Sequence, residues 1–112
     1  MTITNATLRT RVAEDLRIKS VDMDLDDADA DRIDRRIASA QSYLRELGLI
    51  WWDDDAIPEH CEDAMSMVVC AMSCVAFGKI GQGYEAGLAS GVALLKSIKP
   101  STNVETLRTT YY

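Results

Sequence analysis

Two tryptophans and three aspartates meet in the segment LGLIWWDDDAIPEH, residues 47–60. Trp51 and Trp52 could stack on a ligand, and Asp53, Asp54 and Asp55 could work as paired acids or cage a cation. Three consecutive acids in one link cannot all face a single point, however, and such runs are usually solvated. Adjacent indoles rarely enter one core together. One tryptophan is therefore expected under a neighbouring helix and the other outside as an interface anchor. Both indoles in the core is the competing expectation, and ligand stacking is the third.

His60, Cys61, Cys70 and Cys74 carry zinc-ligand atoms. Zinc sites usually draw ligand pairs from two tight turns, whereas Cys70 and Cys74 sit four residues apart in an apolar, methionine-rich helix. Cysteine in such a place behaves as a small hydrophobe. His60 beside Cys61 is the one candidate base–nucleophile pair, and neighbours on a helix point about 100° apart, a poor start for a dyad. Asp22, Asp24 and Asp26 resemble the start of a calcium loop. Its sixth position needs glycine and its twelfth a bidentate acid; Asp27 and Ile33 stand there. GKIGQG (78–83) lacks the lysine–serine ending of a phosphate loop. No catalytic residue, metal ligand or cofactor is assigned, and the expectation is a protein that is not an enzyme.

The side chains must be held by a chain of 112 residues, enough for one domain with a modest core. Net charge is −6, unevenly placed: fourteen acids and four arginines lie between Asp22 and Asp63, leaving that segment near −10 and each flank near +2. Nucleic-acid affinity comes largely from Lys and Arg neutralising phosphates. No basic stripe is present, so gripping DNA is disfavoured, while an acidic surface that DNA slides past remains compatible. No apolar run reaches the ~18–20 residues of a membrane span. The first residues lack the pattern of a signal peptide, so a soluble protein used inside the cell that makes it is expected. Three cysteines without a secretion signal argue for reduced thiols.

Periodicity is helical almost throughout, and no strand pattern stands out. Helices are predicted over about 5–18, 27–47, 58–77 and 84–98, giving an all-α, four-helix bundle-like domain (1–100) and a C-terminal arm (101–112). Leu8, Val12 and Leu16 mark the first inner face, behind Thr4 or Asn5 as N-cap. Ile33, Ile37, Ala40, Leu44 and Leu47 mark the second, closed at Gly48. Arg32, Arg35 and Arg36 follow the acids at helical spacing and are expected to pair with them. The third helix starts near Pro58. Residues 64–77, AMSMVVCAMSCVAF, carry no charge on any face, so this helix must be covered all round, in part by another subunit. The fourth buries Tyr84, Leu88, Val92, Leu95 and Ile98. Its small residues, Gly87 and Gly91 among them, would let another helix approach closely, and Pro100 ends it.

In this order, YLRELGLIWW, an acidic link, IPEHCEDAMSMVVCAMSCVAFG, a glycine-marked turn and YEAGLASGVALLKSI resemble the head-to-tail connector (adaptor, or head-completion) proteins of tailed bacteriophages and gene transfer agents. That family shows a helix ending in a Leu-Gly/aromatic corner, a Pro-led helix of Ala, Val and Leu, a short turn, and a small-residue helix running into a polar arm. The resemblance covers residues 26–99 and, loosely, the first helix. Its motifs are patterns rather than catalytic signatures. It implies a virion protein at the head–tail junction, a homo-oligomeric ring of about twelve copies under the portal protein. Such a ring extends the channel through which double-stranded DNA passes without specific binding, and docks a tail or stopper protein. The portal-binding arm would fall on Val104, Leu107, Arg108, Tyr111 and Tyr112; in several relatives this arm is longer. Trp51, Trp52, Gly87 and Gly91 would meet the next subunit, and Asp53, Asp54 and Asp55 would face the channel. A small cellular four-helix interaction module or dimeric regulator is the alternative.

Overall fold

The computed structural model describes residues 2–19, 25–53, 55–81 and 83–98. Its elements run β1 (Thr2–Ile3), α1 (Asn5–Asp15), α2 (Asp27–Glu46), β2 (Ile57–Pro58), α3 (Glu62–Ser73) and α4 (Gly87–Ser97). Three-residue 3-10 turns, Glu59–Cys61 and Tyr84–Ala86, lead into α3 and α4. The described residues are all-α apart from one small strand pair. No described helix is long and apolar enough to cross a membrane.

Each helix end has a local cause. The Thr4 hydroxyl accepts the Thr7 N–H and caps α1, and the Asp26 carboxylate accepts the Ala28 N–H and caps α2. Both helices close in the same way. After α1, Arg17 N–H donates to the Glu14 carbonyl and Ile18 N–H to that of Ala13. After α2, Gly48 N–H donates to Arg45 and Leu49 N–H to Leu44. This paired pattern requires a left-handed residue at the turn: Gly48 has φ 74° and Arg17 φ 62°. An arginine there sends no stop signal, and the helix expected to reach residue 18 ends at Asp15.

The other boundaries also shift. Pro58 belongs to β2, so the third helix starts later than expected, through the 3-10 turn. Its end tightens after Ser73 into turns closed at Gly78, where Lys79 N–H reaches the Cys74 carbonyl at 2.8 Å. The β1–β2 pair is antiparallel, with Ile3 opposite Ile57 and Thr2 opposite Pro58. Two-residue strands show no alternation to read, so the absence of any strand in the sequence reading is corrected here.

α3 is the hub, in contact with α1, α2 and α4. α1 and α2 run in opposite directions: Arg9 pairs with Asp34 at 3.0 Å, and the Gln41 side chain donates to Asn5 Oδ1. Leu8, Val12 and Leu16 meet Ile33, Ile37, Ala40 and Leu44 against Met65, Val68 and Val69 of α3, all of them buried. Each such fully buried aliphatic contributes about 1.5–3 kcal/mol. Leu47, expected inside, is 46% exposed, because α2 reaches its closing turn there. α4 buries only Gly91 and Leu95 completely; Tyr84, Leu88, Val92 and Ile98 are half-buried against the core.

Candidate interaction surfaces

The 47–60 corner separates its two indoles. Trp52 is 8% exposed and belongs to the core, while Trp51 is 40% exposed. They meet edge to face with centroids 4.8 Å apart, and Trp51 stacks on His60 at 6.2 Å. Trp52 is thus corrected from subunit contact to the chain's own interior, and Trp51 alone remains available outside. Acrylamide should accordingly quench two unequal fluorescence populations, and Trp51→Phe should remove the accessible one; uniform quenching would contradict the split.

The aspartates divide too. Asp53 is exposed, and Asp54 lies outside the described residues. Asp55 takes a left-handed φ of 64° and accepts the Asn5 N–H at 2.7 Å. It ties the corner to the start of α1, a charge-assisted bond at a helix N-terminus. One of its carboxylate oxygens is engaged within the chain, while the residue itself stays exposed.

Gly87 and Gly91 are corrected in the same sense. A β-carbon on Gly87 would lie 2.6 Å from the Met67 carbonyl oxygen. On Gly91 it would lie 2.6 Å from Val68 Cγ2 and 2.8 Å from the Ala64 carbonyl oxygen. The close helix approach that these residues permit is therefore between α4 and α3 of one chain.

A cleft of about 580 Å³ opens between α1, α3 and the start of α4, lined by Arg11, Asp15, Ser66, Cys70, Tyr84 and Gly87 among others. Arg11 reaches three carboxylates: Asp15 at 2.9 Å, Asp63 at 2.9 Å and Glu62 at 3.3 Å. Partial burial disfavours its charge, but hydrogen bonds to Asp63 and Asp15, the Asp15 charge and the Glu62 hydrogen bond outweigh that and raise its pKa. Ser66 donates to Asp15 at 2.5 Å, and the Tyr84 hydroxyl donates to the Asp15 carbonyl at 2.7 Å. Asp15 thus joins α1, α3 and the α4 lead-in. The Arg11–Asp15 spacing was a legible signal for one pair; the links across helices had none.

All three cysteines are free and buried. Burial pushes the Cys61 thiol up to about 11, and that of Cys70 to about 11 despite an opposing hydrogen bond with Ser66. A thiolate is the nucleophile and ligand form, so raised, buried thiols are inert at neutral pH. Among the described residues, no group of three or more His, Cys, Asp or Glu could hold a metal ion. Asp22 and Asp24 lie outside the described residues.

Among the described residues, large apolar side chains face solvent at the end of α2, beyond α3 and at Met67. Tyr43, Leu47 and Trp51 lie at the end of α2 and the corner, and Val75 and Ile80, 66% and 62% exposed, lie beyond α3. A hollow of about 430 Å³ beside Ala76 is lined by Arg32, Arg35, Arg36 and Ser39. Arg32 approaches Asp29 at only 3.9 Å, and Arg35 and Arg36 form no ion pair among the described residues. The expected pairing with the preceding acids is thus met by Arg32 and not by Arg35 or Arg36. Exposed Met67 completes the uncovered part of α3's surroundings. Val104, Leu107, Arg108, Tyr111 and Tyr112 lie outside the described residues.

These features define the chain as a mostly helical domain with several large apolar side chains exposed to solvent. No protein-family model, curated protein or solved structure matches it.

Proposed function

We propose that this chain is a head-to-tail connector of a tailed bacteriophage or gene transfer agent: a four-helix bundle-like domain with a C-terminal arm, acting as a structural virion protein at the head–tail junction. Copies assemble as a ring of about twelve under the portal protein, extend the DNA channel and dock a tail or stopper protein. The observation that carries this reading is the uncovered apolar surface at Tyr43, Leu47, Trp51, Val75 and Ile80. Large apolar side chains left exposed in this way suit protein–protein contact. A net charge of −6 fits a channel wall that DNA passes without sticking.

The arm is tested by deletion. Removing residues 101–112 should abolish co-sedimentation with the portal protein while helical circular dichroism stays at its full-length level. Unchanged binding would take the arm out of the mechanism. The second reading, a dimeric cellular interaction module, is favoured by the same apolar surface. It predicts a stable dimer and no portal affinity for the full-length chain.

A further inference from the structure

The four helices are not held equally. α1, α2 and α3 each pack against both of the others, whereas α4 has α3 as its one close helix neighbour. Lifting α4 away therefore breaks one helix interface, and lifting any other helix breaks at least two. The buried side chains point the same way. α1 buries Leu8 and Val12, α2 buries Ile33, Ile37 and Leu44, and α3 buries Met65, Val68 and Val69. Leu95 is the one large side chain that α4 buries completely, and Leu88, Val92 and Leu94 are half-buried. Hydrophobic stabilisation follows the apolar area removed from water, and α4 comes closest to α3 at Gly87 and Gly91, which have no side chain to bury. Polar links are as sparse. Among the described residues, one hydrogen bond runs from residues 84–98 to another helix: the Tyr84 hydroxyl donates to the Asp15 carbonyl at 2.7 Å.

We infer that α4 is a strap: latched by Tyr84 onto the end of α1, it opens as one unit while α1, α2 and α3 stay folded. Proteins open sub-globally in cooperative units, and the unit with the fewest buried contacts opens at the lowest free energy. Opening widens the cleft between α1, α3 and the start of α4. It uncovers Cys70, which lines that cleft with Tyr84, Gly87 and Leu94. The opening does not rest on the connector reading. Combined with it, α4 becomes the root of the portal-binding arm, and that root swings while the rest of the subunit keeps its shape.

Native-state hydrogen exchange of the full-length chain, read by mass spectrometry, tests the strap. Amides of α4 should exchange at least about 10-fold faster than the slowest amides of α2. Ile37→Val weakens the three-helix core and should speed the α2 amides about 2–10-fold. It should leave α4 exchange unchanged, because the strap opens without disturbing that core. Tyr84→Phe should speed α4 exchange about 5-fold, the equivalent of one lost hydrogen bond. Alkylation of Cys70 by iodoacetamide should follow the α4 amides through both variants, and circular dichroism checks that both are folded. If Ile37→Val speeds the α4 and α2 amides equally, α4 opens only with the whole domain and the strap is overturned. Unchanged α4 exchange in Tyr84→Phe overturns the latch, and Cys70 alkylation that follows the α2 amides overturns the uncovering. No portal protein enters these measurements, so their failure and that of the connector reading are told apart.

Discussion

Gly91→Ala is expected to lower the free energy of unfolding by about 1–3 kcal/mol, the usual cost of overpacking a fitted interior. The sign is the informative part. In an exposed helix the same change would stabilise by up to about 1 kcal/mol, because alanine is the better helix former. Here the added methyl group would meet Val68 Cγ2 at 2.6 Å and the Ala64 carbonyl oxygen at 2.8 Å. The side chain can turn, but the carbonyl belongs to the α3 backbone and moves only if the helices separate. Gly87→Ala meets the Met67 carbonyl oxygen at 2.6 Å and should act in the same direction. Urea unfolding of both variants, with Ala93→Gly on the exposed side of α4 as the propensity control, measures this. A stabilised Gly91→Ala protein would mean that α4 does not lie this close to α3.

Alkaline pH should unfold the protein through its thiols. Cys61 and Cys70 are raised from the ordinary 9.0 to about 11, above all by burial. Below pH 9 both states hold these protons and stability does not depend on them. Between pH 9 and 11 the unfolded chain loses them while the folded chain keeps them, so stability falls as pH rises. At about 1.4 kcal/mol per pH unit for each thiol, the two remove on the order of 3–5 kcal/mol across that window. That is a large share of the ~5–15 kcal/mol typical of a small domain. Urea midpoints of reduced protein from pH 8 to 11 should show the decline, and the Cys61→Ala/Cys70→Ala double variant should flatten it. A decline of equal slope in that variant would assign the alkaline loss to other groups.

The amphipathic helices were the legible part of this molecule. Ile33, Ile37, Ala40 and Leu44 repeat at the helical period, and α2 runs Asp27–Glu46 up to the readable Gly48 stop. Where a common residue does an uncommon job, the sequence is silent. Arg17 and Asp55 hold left-handed backbone without being glycine, so neither announces a turn. The small residues of α4 signalled a close helix approach, but composition cannot say whether the approaching helix belongs to the same chain. Gly87 and Gly91 turned out to face α3. The acids were hardest to read: Asp55 and Asp15 stand among many similar residues, and only the tertiary arrangement picks out the one that holds Asn5 and the one that holds Arg11 and Ser66.

The small pairing of β1 with β2 has a consequence for how the chain reaches its native state. Together with the bond from Asn5 to Asp55, it joins positions about fifty residues apart. Closing so long a loop costs entropy before any contact rewards it. The α3–α4 hairpin closes over a much shorter span and meets a far smaller barrier. By this entropy argument the β1 segment is expected among the last to find its place, leaving the leading end of α1 unanchored until the tryptophan corner has been made.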